Sequence, residues 1–97
     1  MLKRNRQIQG VTKLTFAIPL DKAPAGVSVV GEFNGWDPDT HPMKKRSNGT
    51  RSVTVELPTG RSWEYRYVAA DGTWFSDPEA ETHVPNPFGE SNSVVST

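Results

Sequence analysis

From Val11 the chain alternates between apolar and polar positions. Thr12, Leu14, Phe16 and Ile18 fall on one face, and Lys13, Thr15 and Ala17 on the other. This is the period-two pattern of a half-buried strand. Residues 19–26 carry two prolines and a glycine and read as a loop. Residues 27–33 (VSVVGEF) predict a second strand, rich in β-branched side chains. Asn34-Gly35 breaks it, and Trp36-Asp37-Pro38 follows in a turn. Residues 43–46 predict a short strand, and Ser47-Asn48-Gly49 a hairpin turn, because Asn and Gly tolerate positive φ. Residues 51–57 return with Val53, Val55 and Leu57 on one face. After the turn at Pro58-Thr59-Gly60, residues 63–69 place Trp63, Tyr65 and Tyr67 on one face and Glu64, Arg66 and Val68 on the other. Asp71-Gly72 turns the chain into residues 73–75, which pair back. Residues 76–91 read as irregular and proline-rich, and residues 93–96 as a closing strand.

No stretch of ten residues keeps a helical period without a breaker. About seven short strands, with turn signals every ~8–12 residues, predict an all-β fold, an antiparallel β-sandwich. The length suits it, since an immunoglobulin-like sandwich takes about 100 residues. Residues 1–10 are polar, with Lys3, Arg4 and Arg6 and no period, and are expected to be a flexible basic tail. Residues 11–97 then form one domain, and Met1 is expected to be a native start.

Charge narrows the function classes. Eleven basic residues balance eleven acidic ones, whereas a nucleic-acid binder carries a net basic face. The chain has no cysteine, so it offers no disulfide framework, thiolate zinc site or thiol nucleophile. A small fold without disulfides suits a reducing compartment, and a cytoplasmic location is expected. No apolar run approaches the ~18 residues of a membrane span, and the N-terminus lacks a signal-peptide apolar core.

Catalytic chemistry finds little support. His41 and His83 lie far apart without a second ligand at metal spacing, and are expected to be water-exposed loop histidines. A nucleophile elbow, a phosphate loop and a dinucleotide fingerprint are absent. Asp77, Glu79 and Glu81 sit in a polar loop and are expected to be solvated acids. The sequence therefore predicts no catalytic residue, metal or cofactor. The aromatic residues say more. Trp36 and Trp74 each sit beside a turn, and Arg66 projects from the strand face opposite Tyr65 and Tyr67. A hairpin brings residues 66 and 74 near one another. Two flat apolar rings and a guanidinium fork suit a pyranose, with its C–H face and fringe of hydroxyls. The alternative is that both rings plug the ends of a thin sandwich, and patterning alone leaves the two open.

Four segments occur in a telling order: Gly31-Glu32-Phe33-Asn34-Gly35-Trp36; Tyr65-Arg66-Tyr67 with Asp71-Gly72-Thr73-Trp74; Asp77-Pro78; and Asn86-Pro87-Phe88-Gly89 with Asn92-Ser93-Val94-Val95. In these the chain resembles the family 48 carbohydrate-binding modules, the early-set domains at the N-terminus of isoamylase-type and branching enzymes. It is similar too to the glycogen-binding domain in the β subunit of AMP-activated protein kinase. The resemblance covers about residues 11–96. It implies an immunoglobulin-like (early-set) sandwich that binds α-1,4-glucan, such as glycogen, starch or a maltooligosaccharide, without catalysis. By resemblance Trp36 and Trp74 stack on glucose units and Arg66 bonds sugar hydroxyls. Phe88 reaches over the glucan, and Glu90 and Asn92 complete the site. Glu90 departs from the small polar residue of the family pattern. The alternative within the family is a scaffold that packs on a glucan-processing enzyme without binding sugar, to which residues 85–93 (PNPFGESNS) are closer.

Overall fold

The computed structural model describes residues 2–8 and 10–97. Its strands are β1 (Leu2–Ile8), β2 (Val11–Pro19), β3 (Val27–Gly31), β4 (Lys44–Lys45), β5 (Thr50–Pro58), β6 (Ser62–Ala69), β7 (Trp74–Phe75), β8 (Thr82–Pro85) and β9 (Ser91–Ser96). One sheet has the order β1-β2-β5-β4. The other has the order β3-β6-β9-β8, with β7 also paired to β6. All pairings are antiparallel. The fold is the expected all-β sandwich, with nine strands among the described residues where about seven were expected. Among those residues no helix is long and apolar enough to cross a membrane.

The alternation read in the sequence is what joins the two sheets. Leu14, Phe16 and Ile18 of β2 and Val55 and Leu57 of β5 are buried against Val27, Val29, Trp63, Tyr65, Tyr67 and Val95 of the other sheet. Phe16 meets Tyr65 edge-on at 5.1 Å between centroids, and Tyr65 meets Tyr67 at 5.8 Å. Both are favoured ring arrangements.

Four expectations about the strands and their packing are corrected here. Leu2–Ile8, expected as a tail, is strand β1, running from Leu2 opposite Phe16 to Ile8 opposite Val11 with a register shift between Arg4 and Arg6. The edge of β2 away from β5 carries backbone N–H and C=O groups, and pairing with them needs no apolar period. Met1 and Gln9 lie outside the described residues, and with Met1 the expectation of a native start. Second, part of the segment expected to be irregular forms β8, paired along β9. Its Pro85 is accommodated because an edge strand need not donate on both sides.

Third, the strand expected over residues 27–33 stops at Gly31, and residues Glu32–Asn34 form a single 3-10 turn. A Cβ at Gly31 would lie 2.6 Å from the Glu64 carbonyl oxygen and 2.7 Å from the Phe33 ring, so this close crossing admits only glycine.

Fourth, Asp77 is wholly buried rather than solvated. Tyr65 and Tyr67 carry their hydroxyls into the core, where each needs a partner. Both donate to Asp77 Oδ2, at 3.0 and 3.2 Å. Asp77 Oδ1 accepts the Glu79 N–H at 2.9 Å, and the Asp77 N–H donates to Ser93 Oγ at 2.7 Å. Burial, and then the Asp77 charge, push both tyrosine pKa values well above their ordinary value. Glu79 and Glu81 are exposed.

Candidate carbohydrate-binding cleft

β6 organises the cleft. Its inward residues Trp63, Tyr65 and Tyr67 belong to the core, so Glu64, Arg66 and Val68 occupy the outer face. β3 lies along one edge of β6. On the other edge, β9 pairs from Ser62 to Tyr65 and β7 pairs at Tyr67 and Val68. Arg66 falls where that partner changes. Val68 is opposite Trp74, which puts Trp74 on the outer face too. On β9, Ser93 and Val95 are buried inward, which leaves Asn92 outward.

Trp36 arrives from the turn after β3. The Asn34 side chain accepts the Gly31 N–H at 3.0 Å and donates to the Val29 carbonyl at 3.1 Å. Gly35 and Trp36 then both take left-handed backbone, with φ of 65° and 61°. Such a conformation costs a bulky side chain about 1–3 kcal/mol. The Trp36 N–H donates to the Gly31 carbonyl at 3.0 Å and closes the turn. His41, expected to be exposed, is half-buried. Its Nδ1 accepts from the Asn34 amide at 2.9 Å, and burial lowers its pKa. His83 is exposed and donates from Nε2 to the Asp77 carbonyl at 2.7 Å.

The far wall is the loop between β8 and β9. Asn86 Oδ1 accepts the N–H groups of Phe88 and Glu90 at 3.0 and 3.2 Å, and its Nδ2 donates to Asn92 Oδ1 at 3.1 Å. This Asx-type closure holds Phe88 out in solvent, 87% exposed. Ser76 Oγ donates to the Ser91 carbonyl, tying the segment after β7 to β9.

A cleft of about 620 Å³ lies between these parts, and all six residues predicted for the site border it: Trp36, Arg66, Trp74, Phe88, Glu90 and Asn92. Trp74 is 40% exposed and Trp36 is half-buried, so neither ring is sealed in the core. Arg66 lies on the expected face, yet is only 8% exposed. Its Nη2 stands 2.6 Å from Glu90 Oε1, and its Nε is buried with no hydrogen-bond partner among the described residues. Asn92 donates to Glu64 Oε1 at 3.0 Å.

A family model described as the glycogen recognition site of AMP-activated protein kinase matches residues 16–97. The chain belongs to that family. Among relatives, it is 37% identical over 70 residues to a 1,4-alpha-glucan branching enzyme of Xanthomonas campestris, covering 71% of this chain and 10% of that protein. It is 41% identical over 69 residues to the enzyme of the same name from Paramagnetospirillum magneticum, covering 69% of this chain and 9% of that protein. With the Aliivibrio fischeri enzyme it shares 30% over 93 residues, covering 95% of this chain and 12% of that protein. The chain thus spans about a tenth of the length of these curated relatives.

In this glycogen-recognition fold, Asn86 and Pro87 also border the cleft. Sequence reasoning missed both. The signal was available in Asn86-Pro87-Phe88-Gly89, where an Asn side chain closes a turn that ends in a left-handed glycine, Gly89, at φ 81°.

Proposed function

We propose that the cleft binds α-1,4-linked glucan, as glycogen, starch or a maltooligosaccharide, and leaves it chemically unchanged. The observation that carries this reading is that Trp36, Trp74 and Phe88 border one cleft together with Arg66. Ring faces take the C–H face of a pyranose, and the guanidinium and amide groups take its hydroxyls. The membership of a glycogen-recognition family supports it.

The carboxylates nearby fit binding better than hydrolysis. A glycosidase places two carboxyl groups either side of the scissile bond, one of them protonated. Here Glu90 is ion-paired to Arg66 and Glu64 accepts from Asn92. The reading keeps the cytoplasmic location expected from the sequence.

A second reading is a module that packs on a glucan-processing enzyme. It is favoured by the relatives, which are named as branching enzymes and are about ten times as long as the matched region. Co-sedimentation with insoluble starch, with cellulose as control, separates the two. Retention on starch alone supports sugar binding, and retention on neither favours the packing role.

A further inference from the structure

Among the described residues two charged ones border the cleft, and they are paired with one another. Arg66 supplies the cation and Glu90 the carboxylate, 2.6 Å apart. Their settings differ, since the Arg66 side chain is 10% exposed and that of Glu90 58%. The cation lies deep and its compensation sits at the mouth. Glu64 adds a second carboxylate on the same face of β6, two residues from Arg66, bonded to Asn92 at 3.0 Å. The local formal charge is therefore negative, although the cleft is built around an arginine.

Left alone among apolar walls, an arginine is a phosphate site, because its planar fork matches phosphate oxygens bidentately. We propose that Glu90 is a positioning and specificity-determining residue, which holds the Arg66 guanidinium and cancels its charge so that the cleft takes uncharged glucan and rejects glucan bearing phosphate. The inference rests on the sugar-binding reading above and adds the class of glucan.

The chemistry of the two ligands separates them. A sugar hydroxyl both donates and accepts, so it can accept from an Arg66 N–H while donating to the carboxylate of Glu90. Charge pair and hydroxyl then satisfy each other without displacement. A phosphate dianion only accepts. To reach Arg66 it must displace the Glu90 carboxylate, and it then stands among two other anions. In a partly desolvated cleft that repulsion is poorly screened.

The test titrates maltoheptaose, and maltoheptaose bearing a phosphate monoester, into wild type, Glu90→Gln and Glu90→Asp by calorimetry at low salt. Wild type is expected to prefer the neutral sugar by about tenfold or more. In Glu90→Gln the neutral sugar binds more weakly, as Arg66 loses its anchor, and the phosphorylated one more tightly. The preference shrinks by about tenfold or inverts, and salt weakens the new binding. Glu90→Asp keeps the carboxylate and the wild-type preference. A merely structural Glu90 would weaken both sugars equally. An unchanged ratio in Glu90→Gln, or equal binding of both sugars by wild type, overturns the inference while the glucan reading stands. Wild type binding neither sugar overturns both.

Discussion

The hydroxyl of Tyr67 donates to Oδ2 of Asp77 at 3.2 Å inside the sandwich, and Tyr65 donates to the same oxygen at 3.0 Å. One buried carboxylate thus serves two core hydroxyls and the Glu79 N–H, while the Asp77 backbone N–H, donating to Ser93 Oγ, ties the segment after β7 to the sheet that carries the cleft. Removing it strands both hydroxyls. Asp77→Ala is expected to lower stability by about 3 kcal/mol or more. Asp77→Asn keeps a carbonyl acceptor and should cost clearly less. Urea denaturation of the three proteins checks the order.

The same pair sets an alkaline limit. Tyr65 and Tyr67 are the chain's two tyrosines, and folding raises the pKa of both above 10.0. Below that pH both states keep the phenol protons and stability is full. Above it the unfolded chain releases protons that the folded one retains, so unfolding is favoured. Each pH unit above 10 is expected to cost about 1.4 kcal/mol per tyrosine. Tyrosinate absorbance should therefore appear together with loss of the fold. Smooth ionisation at pH 10 in a protein that stays folded would count against the buried network.

Gly31 joins the core to the cleft. A methyl group there would meet the Glu64 backbone and the Phe33 ring at distances no Cβ tolerates. Gly31 also closes the turn that delivers Trp36. Gly31→Ala is expected to destabilise the fold by about 1–3 kcal/mol and to weaken glucan binding as well, which thermal melts and a maltoheptaose titration would show together.

How far the sequence was legible follows from how local each cause is. β2, β5 and β6 could be read because one buried face imposes period two on every residue. Arg66 and Trp74 could be placed near one another because β6 alternation and one hairpin fix both, whereas Trp36 joins them in the sequence only through the family resemblance. β1 could not, since backbone pairing along an edge leaves no trace in side-chain pattern. Asp77 looked like a loop acid because its partners, Tyr65 and Tyr67, are ten or more residues away. The burial of Arg66 escaped notice for a similar reason. Its partner Glu90 lies on a loop whose course depends on the Asn86 closure.

Arg66→Lys keeps the charge and loses the planar fork. An ammonium cannot hold Glu90 and span neighbouring hydroxyls in the same geometry, so maltoheptaose should bind about tenfold more weakly. Binding of the neutral sugar to wild type should change little with salt. Equal affinity in Arg66→Lys would remove the guanidinium from the site.

The most direct test is a titration of maltoheptaose against tryptophan fluorescence in wild type and Trp74→Ala. A cleft open along one side predicts a Kd of about 10 μM to 1 mM for wild type. Loss of one central ring predicts a weakening of about 30-fold, from roughly 2 kcal/mol, with circular dichroism and melting temperature unchanged. Equal affinity in the two proteins, or no binding by wild type, would contradict the account.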